Sequence, residues 1–131
     1  MRAADLWLFL PFGYLFSVAI ETPVLILGLS ERHTLRQRLF AGLWLTACTY
    51  PVVALVMPTL FDGTSRALYL VVAETFAPVA ECALFWLAFG KRELIGSRSM
   101  WRDFAAIVAA NLASFAAGEV AGAYRWFGLF G

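Results

Sequence analysis

Four glutamates stand where a carboxyl is costly to hold. Glu21, Glu74, Glu81 and Glu119 each fall inside a long apolar run, and no Lys, Arg or His is expected deep enough in those runs to neutralise them directly. An ionisable side chain near the bilayer centre costs about 2.5–3.5 kcal/mol on insertion scales, so a set of four calls for a reason. Each must be protonated, share a hydrogen bond, face water or hold a cation. A carboxyl that gains and loses a proton in such a place is a proton carrier, and one that stays ionised is a cation ligand.

Spacing brings polar groups onto common faces. Glu74 and Glu81 are seven residues apart, two helical turns, with Thr75, Pro78 and Cys82 alongside. Tyr14, Ser17 and Glu21 form a similar stripe, as do Thr46, Thr49 or Tyr50, and Val53, while Asn111 and Ser114 add a polar patch further on. Counting inward from the ends of the runs puts Glu21, Glu81, Thr46 and Asn111 at one depth. Glu74 and Glu119 fall in a second layer, approached by Tyr14 or Tyr50, and the two layers together predict a stepwise polar route for protons or cations. Prolines add oxygen ligands: Pro23, Pro51 and Pro78 would free the carbonyls of Ala19, Ala47 and Glu74. Hard cations prefer such oxygens, although a Ser or Thr hydroxyl or a water fills the same role in helices that transport nothing.

Other reactive residues carry less. His33 sits among bases with no partner pattern and is expected to be solvent-exposed. Cys48 and Cys82 have no close Cys or His companion, so neither a disulfide framework nor a zinc motif is supported. A soft-metal site pairing them with Glu81 is a weaker alternative. No nucleophile motif, His-rich cluster or glycine-rich phosphate loop points to catalysis, and no haem or flavin pattern is present. The only cofactor the residues suggest is a bound cation.

The elements that must position these groups are membrane-spanning helices. Of 131 residues, 62% are hydrophobic and mean hydropathy is +0.77, against roughly 45–50% apolar in soluble domains. Four apolar runs of spanning length occupy about 6–29, 39–60, 67–89 and 104–127. The expected fold is an all-α integral membrane protein of one domain, an up-and-down antiparallel bundle of four transmembrane helices joined by short connections. Continuous apolar runs exclude a spanning barrel, whose strands alternate in polarity. The apolar run after Asp5 continues past Glu21-Thr22-Pro23 without a cleavage pattern, so it reads as a retained first crossing. Asp62-Gly63-Thr64-Ser65-Arg66 reads as a tight polar turn, and Tyr124-Arg125-Trp126 suits a lipid interface. Trp7, Trp44, Trp86 and Trp101 suit interfacial belts or lipid contact.

Charge gives the orientation. Arg32, Arg36 and Arg38 lie in connection 30–38 and Lys91, Arg92, Arg98 and Arg102 in connection 90–103, against Arg2, Arg66 and Arg125 on the other side. The positive-inside rule then makes both basic connections cytoplasmic and both termini outward, most naturally in a bacterial inner membrane. With a net charge of +1 there is no general attraction to nucleic acid.

Two further patterns bear on assembly. Ala19-Ile20-Glu21-Thr22 resembles Val72-Ala73-Glu74-Thr75, and Leu39-Phe40-Ala41-Gly42 resembles Asp103-Phe104-Ala105-Ala106, a faint parallel duplication. Ala106, Ala110, Ser114, Gly118 and Gly122 recur at four-residue spacing on the fourth helix, a small-residue stripe for close helix packing. The reading reached is a small transport or channel component that binds or conducts protons or cations through Glu21, Glu74, Glu81, Glu119, Asn111 and Thr46. Four helices enclose little lumen, so its expected partners besides the lipid bilayer are further copies in a homo-oligomer or a partner membrane subunit. The alternative is a non-catalytic structural subunit of a larger membrane complex.

Overall fold

A computed structural model describes residues 3–60 and 63–123. Tyr124, Arg125 and Trp126, together with Arg2, Asp62 and the side chain of Trp7, lie outside the described residues. The order is helix α1 (Ala3–Gly28), α2 (Leu35–Pro51), a π-helical turn (Val52–Val56), the short α3 (Met57–Leu60), α4 (Arg66–Phe89), a 3-10 turn (Arg92–Leu94) and α5 (Arg98–Ala123). Among the described residues every regular element is helical, and four helices are long and apolar enough to cross a membrane.

Local chemistry sets the helix ends. Thr34 caps α2 through a reciprocal box: its Oγ1 accepts from the Gln37 N–H at 3.1 Å while Gln37 Oε1 accepts from the Thr34 N–H at 2.9 Å. Such a cap is worth about 1 kcal/mol. Ser65 caps α4 by accepting from the Leu68 N–H, and Ser97 does the same for the Met100 N–H at the start of α5. Gly63, with φ of 83°, supplies the left-handed residue that turns the chain into Ser65. Pro51 lacks the N–H that would hold the preceding turn, and the helix widens directly after it into the π turn, where the Met57 N–H donates to the Val52 carbonyl.

The helices pack in a ring, α1 on α2 and α5, and α4 on α2 and α5. The partners run in opposite directions. Between α1 and α2, Arg38 reaches Ile26, Gly42 abuts Thr22 and Tyr14 meets Tyr50, so numbers rise on one helix as they fall on the other. Between α4 and α5, Cys82 lies by Phe104 and Arg66 by Glu119. Close approach is built in at Gly42, where an added Cβ would sit 2.3 Å from Thr22 Oγ1.

Two kinds of interior result. Leu25, Leu29, Ala41, Leu45, Phe85, Ala106, Ile107 and Ala110 form a continuous apolar core in the half of the bundle near the basic connections. The other half holds the polar cavity described below. On the outside, Leu27 and Leu87 are each 80% exposed and Leu60 is 70% exposed, a surface that suits hydrocarbon rather than water.

Candidate functional site

The cavity lies among α1, α2, α4 and α5 and encloses about 260 Å³. Its inner wall is polar. Glu21 of α1 and Glu81 of α4 are 4% and 3% exposed, and Thr46, Thr49 and Asn111 beside them are also buried. Thr46 and Thr49, one turn apart on α2, each serve one glutamate: Thr46 Oγ1 donates to Glu21 Oε2 at 3.1 Å, and Thr49 Oγ1 lies 3.2 Å from Glu81 Oε2. Thr49 Oγ1 is also 3.0 Å from the Leu45 carbonyl. A hydroxyl carries one proton, so it serves one of these acceptors at a time. With Glu81 ionised, Thr49 donates to the carboxylate; with Glu81 protonated, the acid O–H donates to Thr49 Oγ1 and the threonine proton turns to Leu45. The geometry thus accommodates both protonation states of Glu81 without moving the backbone.

Asn111 lies beside Glu81 while its Nδ2 donates to the Ile107 carbonyl at 2.9 Å. Tyr50 also lines the cavity, and its hydroxyl is buried without a hydrogen-bond partner. Val53, Leu70, Ala77 and Phe115 form the apolar walls. Towards the other end the lining loosens: Glu74 and Ser114 are half-buried and Glu119 is exposed. Glu119 accepts from Arg66 at 2.9 Å, and this ion pair stands where the cavity meets the surface.

All six residues singled out for an ion pathway, Glu21, Glu74, Glu81, Glu119, Asn111 and Thr46, line this one cavity. Among them Glu21, Glu81, Thr46 and Asn111 are buried, Glu74 is half-buried and Glu119 is exposed. The expectation that none of the four carboxyls would meet a cation fails at Glu119, because Arg66, the residue directly before the third apolar run, opens α4 and reaches across to α5. Of the small-residue stripe, Ala106 and Ala110 are buried against the core, and an added Cβ at Gly28 would lie 3.0 Å from Ala106 Cβ. Ser114 and Gly118 line the cavity instead, and Gly122 is exposed, with nothing within 4 Å of an added Cβ at either glycine. Cys48 is exposed and Cys82 half-buried, and among the described residues no three His, Cys, Asp or Glu side chains are grouped to hold a metal ion.

At the basic end, His33 is not solvent-exposed as expected. It is 5% exposed, its Nε2 lies 3.0 Å from Asp103 Oδ2, and Phe85 and Phe89 meet it edge-on at centroid distances of 5.0 and 5.6 Å. Asp103 is 1% exposed because α5 begins at Arg98, carrying it into the bundle; its Oδ1 accepts from the Ser30 N–H at 2.7 Å and its Oδ2 lies 3.5 Å from Arg32. Arginines close the helix ends around it. Arg32 donates to the Phe89 carbonyl at 2.7 Å, Arg102 to Gly28 at 3.1 Å, and Arg38 to His33, Ser30 and Ile26. Cations on C-terminal carbonyls satisfy orphan acceptors and complement the helix dipole.

Comparison with known proteins supplies no analogue: no family model, curated protein or solved structure matches the chain.

Proposed function

We propose that this chain is a membrane transport or channel component whose interhelical cavity takes up protons or a small cation at Glu119 and Glu74 and delivers them to Glu21 and Glu81. The observation that carries the proposal is the pairing of two buried glutamates with two threonine hydroxyls, with Thr49 able to serve Glu81 in either protonation state. Buried carboxylates that served only to join helices would need no adjoining cavity, and here they line one of about 260 Å³. In this proposal the basic connections face the cytoplasm, in keeping with the positive-inside rule, and the termini face outward from a bacterial inner membrane. The cavity then opens outward and ends blindly on the apolar core around Leu25, Leu45, Phe85 and Ile107. Passage across the membrane therefore requires the helices to part at that core, or a second copy or partner subunit to complete the route.

A second reading, a non-catalytic subunit of a larger complex, is favoured by the exposed Gly122, whose open surroundings leave room for a neighbouring helix. The two readings separate in sealed liposomes containing purified protein, scanned for flux of protons and common mono- and divalent cations, with Glu21→Gln, Glu74→Gln, Glu81→Gln and Glu119→Gln in parallel. The transport reading expects flux that is lost in the Glu21 and Glu81 variants. Absence of flux for every ion supports the subunit reading, in which one dominant partner co-purifies from native membrane.

A further inference from the structure

A recess of about 330 Å³ lies at the basic end between the first connection and the start of α5, bordered by Ser30, Glu31, Arg32, Arg98, Ser99 and Arg102. It shares no residue with the acidic cavity. Three arginines border one small volume, offset by Glu31 on its border and by the buried Asp103 carboxylate 3.5 Å from Arg32. The first turn of α5 adds to this: Ser97 caps the Met100 N–H, which leaves the N–H groups of Arg98 and Ser99 without intrahelical acceptors at the positive end of the helix dipole.

A separate observation points to a ligand. Ser30 is 3% exposed and its Oγ has no hydrogen-bond partner, although its N–H is held by Asp103. Arg32 likewise keeps Nε buried without a hydrogen bond, while one terminal nitrogen is bonded to Phe89 and the other lies 3.5 Å from Asp103 Oδ2. Buried donors left unmatched cost about 1–3 kcal/mol each, so two of them beside one recess favour an acceptor-rich guest.

We propose that this recess is a binding site for a phosphate-bearing anion, held by Arg98, Arg102 and Arg32 with the Ser30 hydroxyl and the first N–H groups of α5. Phosphate oxygens accept several charge-assisted bonds at once and match the guanidinium fork. The group arrives either on the headgroup of an anionic phospholipid or as soluble phosphate. Trp101, 61% exposed next to the recess, favours the lipid source, because an aromatic ring there suits the headgroup level.

The test uses the purified full chain in detergent, measuring retained phosphatidylglycerol by native mass spectrometry against phosphatidylcholine as the uncharged control. The proposal expects selective retention of phosphatidylglycerol, lowered at least about tenfold by Arg98→Gln with Arg102→Gln. Retention should fall several-fold in Ser30→Ala, which leaves the charge unchanged, and stay at the wild-type level in Arg36→Gln, an exposed base outside the recess. Arg102 also caps Gly28, so Arg98→Gln alone carries the test if the double variant does not fold. Inorganic phosphate added in parallel assigns the source: displacement of the lipid by phosphate marks a soluble ligand, and resistance marks the headgroup. Equal loss in Arg36→Gln and Arg98→Gln, or equal retention of both lipids with no effect of phosphate, overturns the site.

Discussion

The two ends of this bundle handle buried charge in opposite ways. At the basic end Asp103 is enclosed by Ser30, His33 and Arg32, the arginines cap the C-terminal ends of α1 and α4, and an apolar core lies directly beneath. In the other half Glu21 and Glu81 are as deeply buried, yet each is met by a neutral hydroxyl and an open cavity. A fully partnered ion holds one geometry and resists change. A carboxyl beside a hydroxyl that can donate or accept keeps two protonation states within reach. Under the proposed function, this difference gives stability to one end and proton or cation handling to the other.

Substitutions can break that contrast, and the largest effect is expected at the clamp. Asp103→Ala removes the acceptor shared by Ser30, His33 and Arg32 and leaves their polar groups buried, a loss of about 3–5 kcal/mol of the kind seen when one partner of a buried pair is deleted. Thermal unfolding in detergent should show it as a collapse in Tm or as failure to obtain folded protein, and an unchanged Tm would show that the clamp holds nothing. Gly42→Ala comes next. Its new methyl would meet Thr22 Oγ1 at 2.3 Å, and because threonine is stiff at χ1 the helices must separate at a cost of about 1–3 kcal/mol. Thr22→Ala in the same chain should restore most of the loss, which a double-mutant cycle reads directly.

Effects on stability should shrink towards the cavity. Thr49→Val removes a hydroxyl that serves Glu81 and Leu45 and should lower stability by about 1–2 kcal/mol, while changing transport more than Tm does. Equal transport with a lowered Tm would make Thr49 a packing residue only. Smallest is Arg66→Gln, which breaks an exposed ion pair with Glu119 worth about 0–1 kcal/mol. Its Tm should stay within error of wild type while flux shifts in its dependence on salt, since the pair stands at the cavity mouth.

Much of the cavity was legible in the sequence because it depends on what lies along each helix. Glu74 and Glu81 share a face by spacing, and the apolar runs around Glu21 and Asn111 set their depth, so the layering of the four carboxyls needed no knowledge of neighbours. The clamp was hidden because apolar-run reasoning stops a span at its first charge. Arg98, Arg102 and Asp103 therefore read as connection, although α5 begins at Arg98 and turns Asp103 inward. His33 then looked exposed among bases. The available signal was small: one acid, Asp103, at the edge of an apolar run, and the chain's single histidine in a segment of otherwise solvated charges. Their contact spans 70 residues of sequence, and only tertiary packing reveals it.

The most direct test of the account is Glu81→Gln, measured for flux in sealed liposomes and for Tm in the same preparation. Glutamine keeps the size and the acceptor oxygen facing Thr49 but cannot exchange a proton or carry charge. The account predicts that flux is lost while Tm stays within about 1 kcal/mol of the wild-type stability. Wild-type flux in the variant, or a loss of stability as large as that of Asp103→Ala, would contradict it and make Glu81 a structural residue like those of the clamp.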